Sequence, residues 1–198
     1  MQRLVLASGN PGKLRELAAL LAPLNYEVIS QDTLGIEAPV ESGVTFLENA
    51  LIKARHAARA AQLPALADDS GIEVDALGGR PGVYSARYAG EQASDRANLE
   101  KLLTELRGVP YARRTARYQC VIVLVRGAQD PDPLQARGSW AGHILEAPRG
   151  SGGFGYDPVF LPEGSVRSAA ELEPEEKNRM SHRAQALLSL MARLPAWQ

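Results

Sequence analysis

The feature that most constrains the fold of this chain is a change of hydrophobic period along it. Strand-like apolar runs at Arg3 to Ala7, Tyr26 to Ser30, Ala65 to Ala67 and Ile72 to Val74 are interleaved with helical periodicity at Pro11 to Leu21 and Phe46 to Ala61. Two longer strand-like runs follow, Ala116 to Val125 and Gln135 to Ile144, with the turn-forming segment Gly127 to Pro133 between them. Helical periodicity returns at Asp95 to Leu106 and at Ser181 to Leu194. Alternation early and a hairpin late predict an α/β fold with a sheet of mixed direction and flanking helices. Thr45-Phe46-Leu47-Glu48 is a capping box, which fixes the start of the second helix. No repeat or low-complexity tract divides the 198 residues, so they are read as a single domain.

Charge and cysteine content narrow the function classes. The 22 basic and 23 acidic residues give a net charge of -1, so no global basic field would hold a polymeric nucleic acid. The one cysteine, Cys120, lies in the apolar run "YQCVIVLV" and is expected to be a buried thiol in a reducing compartment. The longest apolar run, Cys120 to Val125, is far below the roughly 20 residues that span a bilayer. The N-terminal residues lack the pattern of a signal peptide, and a cytoplasmic, membrane-free protein is expected.

Four segments carry groups that could do chemistry. "SGNPGK", Ser8 to Lys13, stands between a strand and a helix, but only Asn10 and Pro11 separate Gly9 from Gly12, and Leu14 follows Lys13. A Walker loop needs four residues between its glycines and a hydroxyl after the lysine, so that reading fails. Asn10 is a plausible N-cap with Pro11 at the first helical position, and the N–H groups of such a start favour an anion. A plain strand-to-helix turn fits the same residues. "ADDSG", Ala67 to Gly71, puts Asp68 and Asp69 at the end of an apolar strand, where either a surface turn or a catalytic carboxylate pair can sit. Two carboxylates about 4 Å apart repel by roughly 4 kcal/mol at an effective dielectric near 20, so convergence would require solvent, a proton or a cation. Magnesium suits such oxygen donors. Zinc does not, because His56, His143 and His182 are scattered.

The third segment, "GSGGFGYDPVF" from Gly150 to Phe160, offers Phe154 and Tyr156 as stacking faces and Asp157 as an acceptor, or else forms a tight turn with aromatic core anchors. In the fourth, "ELEPEEKNRMSHRAQALLSLM", Leu187, Leu188 and Met191 have the spacing of a buried helix face and Ser181 could cap that helix. His182 and Arg183 then stand in its first turn, where cations oppose the helix dipole and a ligand would account for them. Glu173, Glu175 and Glu176 read as a solvated linker.

These pieces, "SGNPGKLREL", "TFLENALIKARHAA", "LADDSGIEVDALGGRPGVYSARYAG", "GGFGYDPVF" and "EEKNRMSHRAQAL", resemble the Ham1 family in order and over almost the whole chain. The resemblance implies an elongated α/β fold around a long mixed sheet, with the site in a cleft between two lobes of one domain, residues 1–198, and a homodimer. It also implies magnesium-dependent hydrolysis of deaminated purine nucleoside triphosphates, ITP, dITP and XTP, to the monophosphate and pyrophosphate. Carried onto this sequence, Ser8, Gly9, Asn10, Pro11, Gly12 and Lys13 would hold the phosphates, Asn49 and Lys53 would face the same cleft, Lys13, Lys53, Lys177 and Arg183 would supply counter-charge, and Ser70 would donate to the phosphate or the sugar. Glu41 and Asp69 would bind magnesium, Asp69 would act as general base and Asp68 would support it. Phe154, Gly155, Tyr156 and Asp157 would hold the base, with His182 and Arg183 reading O6. The related Maf fold, acting on modified pyrimidines, and a non-catalytic nucleotide sensor are the competing readings.

Overall fold

The computed structural model describes residues 2–22 and 26–194. Six strands, β1 (Gln2–Leu6), β2 (Tyr26–Ser30), β3 (Ala65–Val74), β4 (Thr115–Val125), β5 (Leu134–Ile144) and β6 (Phe160–Pro162), form one sheet in the order β2-β1-β3-β4-β5-β6. β1 runs parallel to both β2 and β3, with Val5 opposite Ala65, while β5 and β6 are antiparallel. The helices are α1 (Pro11–Leu21), α2 (Phe46–Ala61), α3 (Asp95–Glu105), α4 (Pro174–Met180) and α5 (His182–Arg193). The mixed α/β sheet with flanking helices is the expected fold class.

The chain divides into two compact units. The first takes residues 1–69, 120–138 and 183–198. Leu4–Leu6 of β1, Ala65–Ala67 of β3 and Cys120–Val125 of β4 are apolar and buried at successive positions because both faces are covered there. Leu4, Leu6, Leu66, Ile122 and Leu124 pack with Leu17 and Leu21 of α1 and Leu187 and Leu190 of α5. The alternate residues Val5, Ala7, Ala65, Ala67, Val121 and Val123 meet Ala50, Ala54, Ala57 and Ala58 of α2. Alanines on that helix face let the helix lie close to the sheet. The second unit takes residues 70–119 and 139–182. Ile72, Val74, Leu99, Leu102, Tyr118, Trp140 and Phe160 build its core. Between them on β3 and β4, Glu73 and Arg117 are only partly buried and pair at 2.9 Å.

Three sequence expectations change. The runs Ala65 to Ala67 and Ile72 to Val74 are one strand, since β3 continues through Asp68-Asp69-Ser70-Gly71. Turn propensity is overridden there by buried partners for the two acids. "EPEEKNR" is not a linker but contains α4, whose Lys177 is buried while Glu173 and Glu175 remain exposed. In α5 the buried face is Ala184, Leu187 and Leu190, and Leu188 is 57% exposed. Leu188 lies about 100° around the helix from Leu187, beyond the apolar stripe.

Candidate active site

Local sequence positions the first set of side chains. Asn10 caps α1: its Oδ1 accepts from the N–H groups of Gly12 at 2.9 Å and Lys13 at 3.0 Å. Pro11 takes the first helical position and has no N–H to satisfy. The Asn10 N–H in turn donates to the buried Ser8 hydroxyl at 3.2 Å. The amides of Gly12 and Lys13 serve the helix cap, so an anion here would meet other groups of the turn, among them the Lys13 ammonium and the Ser8 hydroxyl.

Side-chain alternation along β3 sends its two acids to different partners. Asp68 belongs with Leu66, on the face covered by α1 and α5, and its Oδ2 lies 3.1 Å from Lys13 Nζ and 3.2 Å from Arg183 Nη2. Arg183 is itself buried, donates from Nε to Asp68 at 3.3 Å, and pairs through Nη1 with Glu16 of α1. Burial alone would raise the Asp68 pKa, but Lys13 and Arg183 outweigh it and hold the carboxyl below the usual range. Cys120 Sγ is 4.0 Å from the same carboxylate. Burial and that negative charge push its thiol up to about 12, so the sulfur is a poor nucleophile, as the sequence suggested.

Asp69 belongs with Ala65 and Ala67 on the α2 face. Asn49 and Lys53, one helical turn apart on α2, both reach it: Asn49 Nδ2 donates to Oδ2 at 3.4 Å and Lys53 Nζ to Oδ1 at 2.8 Å. Lys53 also holds Glu41 Oε1 at 2.9 Å. Burial of Lys53 would lower its pKa, yet Asp69, Asp68 and Glu41 raise it. For Asp69 the balance goes the other way, and burial raises its pKa despite Lys53. The acids thus do not form one repelling pair. Asp68 is paired with Lys13 and Arg183 and Asp69 with Lys53, and of the two acids it is Asp69 at which burial outweighs the cations. Ser70 follows half-buried on β3.

Glu41 and Asp69 fit a magnesium ion by their chemistry. Both are hard oxygen donors, and both already converge on a single cationic atom, Lys53 Nζ. Among the described residues no group of three or more His, Cys, Asp or Glu is arranged around a metal position. Magnesium asks for less than that, typically one or two carboxylates completed by waters and substrate phosphates.

The second unit holds the other set. Asp157 is buried and its Oδ2 accepts from Lys177 Nζ at 2.6 Å and from the Phe154 N–H at 2.9 Å. Tyr118 donates its hydroxyl to Asp157 Oδ1 at 3.2 Å and stacks on the buried His182 ring, with centroids 4.6 Å apart and planes within 7°. Lys177 Nζ also stands 4.9 Å from the Phe154 ring centroid, a cation–π contact. Lys177 therefore accompanies the aromatic loop. Tyr156 differs from the expectation: it is 4% exposed and its hydroxyl donates to the Ser85 carbonyl at 2.7 Å. It is a core anchor, and only Phe154 offers a partly exposed face. A cavity of about 540 Å³ lies against this loop, lined by Gly150 to Gly155 and by Asp95, Leu99 and Leu103 of α3.

Two glycines of the loop make a sharp comparison. Gly153 has φ +71°, and a Cβ there would fall 2.1 Å from Asp157 Oδ2. Gly155 has φ +61° with open space around it. We expect Gly155→Ala to cost about 1–2 kcal/mol from backbone strain alone. Gly153→Ala should cost about 2–4 kcal/mol, because it also drives Asp157 off Lys177. Urea unfolding of both variants checks the order.

A Ham1 family model matches residues 4–193 of the chain. The chain belongs to the Ham1 family. A dITP/XTP pyrophosphatase of Methylococcus capsulatus is 60% identical over 195 residues, covering 98% of this chain and 97% of that relative. One from Shigella flexneri is 55% identical over 191 residues, covering 96% and 97%. Among solved structures, a HAM1 protein from Coxiella burnetii is 47% identical with a TM-score of 0.90, covering 99% of this chain and all of that one.

Within this Ham1 chain, sequence reasoning overlooked Glu16, Tyr118 and Asp95. Glu16 was open to discovery, since it lies three residues after Lys13 on α1 and shares its face. Tyr118 hid among core aromatics, and only its hydroxyl contact with Asp157 sets it apart.

Proposed function

We propose that this chain hydrolyses deaminated purine nucleoside triphosphates, ITP, dITP and XTP, to the monophosphate and pyrophosphate, with magnesium as cofactor. The observation that carries the reading is the sorting of the two adjacent acids of β3. Asp68 is locked in its charged form by Lys13 and Arg183, while Asp69 is buried, raised in pKa and placed beside Lys53, Asn49 and Glu41. A general base needs that second environment, a carboxylate more basic than usual whose ionised form is still reachable. The names of the relatives supply the substrate class.

In this reading Asp69 takes a proton from the water that attacks the α-phosphorus. Lys53 and Asn49 keep Asp69 oriented, and Asp68 holds Lys13 where a phosphate chain can meet its ammonium. The Ser8 hydroxyl donates to the same chain and Ser70 contacts the phosphate or the sugar. Magnesium held by Glu41 and Asp69 would neutralise phosphate charge and favour the departure of pyrophosphate.

Phe154 provides the stacking surface for the base, and Asp157 and Lys177 set its position. His182 and Arg183 supply donors to O6. For Arg183 this means exchanging Glu16 for the base at Nη1 while Nε and Nη2 keep Asp68. Donors aimed at O6 meet the 6-amino group of adenine badly and leave buried groups unpaired, which discriminates strongly. A cytoplasmic homodimer completes the proposal, following the family resemblance.

Turnover of ITP, XTP, ATP and dTTP measured side by side tests it. ITP and XTP should exceed ATP by roughly 10²-fold or more, and a chelator should abolish turnover until magnesium is restored. Preference for dTTP, or turnover indifferent to the chelator, would refute it.

A further inference from the structure

The Phe154 loop has little regular structure to hold it. Gly150, Gly153 and Gly155 all have left-handed φ values, between +61° and +76°. A segment of this kind keeps one conformation only if its backbone groups find partners, as the Gly152 N–H does at the Ala170 carbonyl at 3.0 Å. Two carboxylates supply such partners at successive residues. Asp157 accepts the Phe154 N–H, and Asp95, sixty residues earlier on α3, accepts the Gly155 N–H at 2.8 Å. The two bonds fix the peptide planes on either side of Phe154 Cα, and hence the direction in which the ring projects.

Asp95 also stands in the first turn of α3, where an acid favours the helix dipole. That function does not require it to reach the loop, because Ser94 already caps the helix by accepting the Ala97 N–H at 3.2 Å. We propose that Asp95 is a positioning residue for base recognition: by holding the Gly155 amide it sets the Phe154 ring against which the purine stacks. This deepens the functional reading above and rests on it. Asp95 touches no reacting atom, so its loss should act on binding and selectivity and leave the chemical step intact.

Steady-state kinetics on ITP and ATP, with thermal unfolding, should be measured for the wild type, Asp95→Ala and Asp95→Asn. In Asp95→Ala, KM for ITP should rise about fivefold, the value of one solvent-accessible hydrogen bond, with kcat within about twofold. Asp95→Asn keeps an acceptor oxygen and should restore KM to within about twofold of the wild type. In amide NMR the Gly155 N–H resonance should shift upfield in Asp95→Ala and stay close to its wild-type position in Asp95→Asn. A lowered melting temperature with KM unchanged would mean that Asp95 serves only α3 and would overturn the proposal. So would an Asn variant no better than Ala, or a Gly155 resonance indifferent to both substitutions. A wild type inactive on ITP would instead sink the functional reading and the specificity role with it. An active wild type with unaltered KM in Asp95→Ala sinks the positioning role alone.

Discussion

Asp69→Asn should lower turnover of ITP by about 10²–10⁴-fold while nucleotide binding, read by calorimetry, stays within a few-fold of the wild type. The expectation comes from what surrounds the carboxylate. Lys53 is shared between Asp69 Oδ1 and Glu41 Oε1, so removing the charge at Asp69 leaves the buried ammonium a partner at 2.9 Å. An asparagine oxygen turned to Lys53 keeps the 2.8 Å bond and gives up only the longer Asn49 contact, at 3.4 Å. Burial already disfavours the ionised form of Asp69, so its neutral isostere costs the fold little. The substitution therefore separates stability from chemistry. Near-normal turnover would remove Asp69 from the role of base.

Arg183→Ala should have the largest effect on the folded state. The guanidinium is buried and bridges Asp68 and Glu16, and truncating it removes one of the cations that hold Asp68 charged, beside Lys13 and Lys53. Breaking a buried charge network from one side costs about 3–5 kcal/mol. The pH dependence has a definite sign. In the wild type Asp68 has a depressed pKa, so its pairing stabilises the fold above the unfolded carboxylate value, near 3.9, and is lost as pH falls through the lower folded value. In the variant that depression is weakened. The stability gap between the two proteins should therefore be constant above the unfolded carboxylate value, near 3.9, and shrink below it as Asp68 protonates in the variant, which urea unfolding between about pH 2 and pH 7 would reveal. The folded fraction should also lose part of its preference for ITP over ATP, and unchanged selectivity would argue against Arg183 at O6.

How legible these features were in the sequence follows from the range of the interactions that create them. The start of α1 could be read residue by residue because Asn10 accepts from the Gly12 and Lys13 amides and Pro11 needs no partner, all within a single turn. The capping box of α2 was equally local, and Glu48 Oε2 does accept from the Thr45 N–H at 3.1 Å. β3 was misread as two pieces because the cations that let Asp68 and Asp69 lie inside a strand come from Lys13, Lys53 and Arg183, far away in the chain. Without them a turn is the better guess for Asp-Asp-Ser-Gly. Segment α4 looked like a linker since six of its seven residues face outward or are only partly covered, and the exception, Lys177, is buried by an aspartate twenty residues before it. Tyr156 and Phe154 are alike in sequence, and the Ser85 carbonyl that claims the tyrosine is remote. Asp95 carried no visible chemistry for the same reason, because its partner is a backbone amide of the distant Gly155.

The bond broken should lie between the α- and β-phosphates. The direct measurement is product identification from ITP and magnesium by phosphorus NMR, in oxygen-18 water. Pyrophosphate and IMP should form in equal amounts, with the label on IMP, because the water attacks the α-phosphorus. Orthophosphate with IDP, or label on the pyrophosphate, would contradict it.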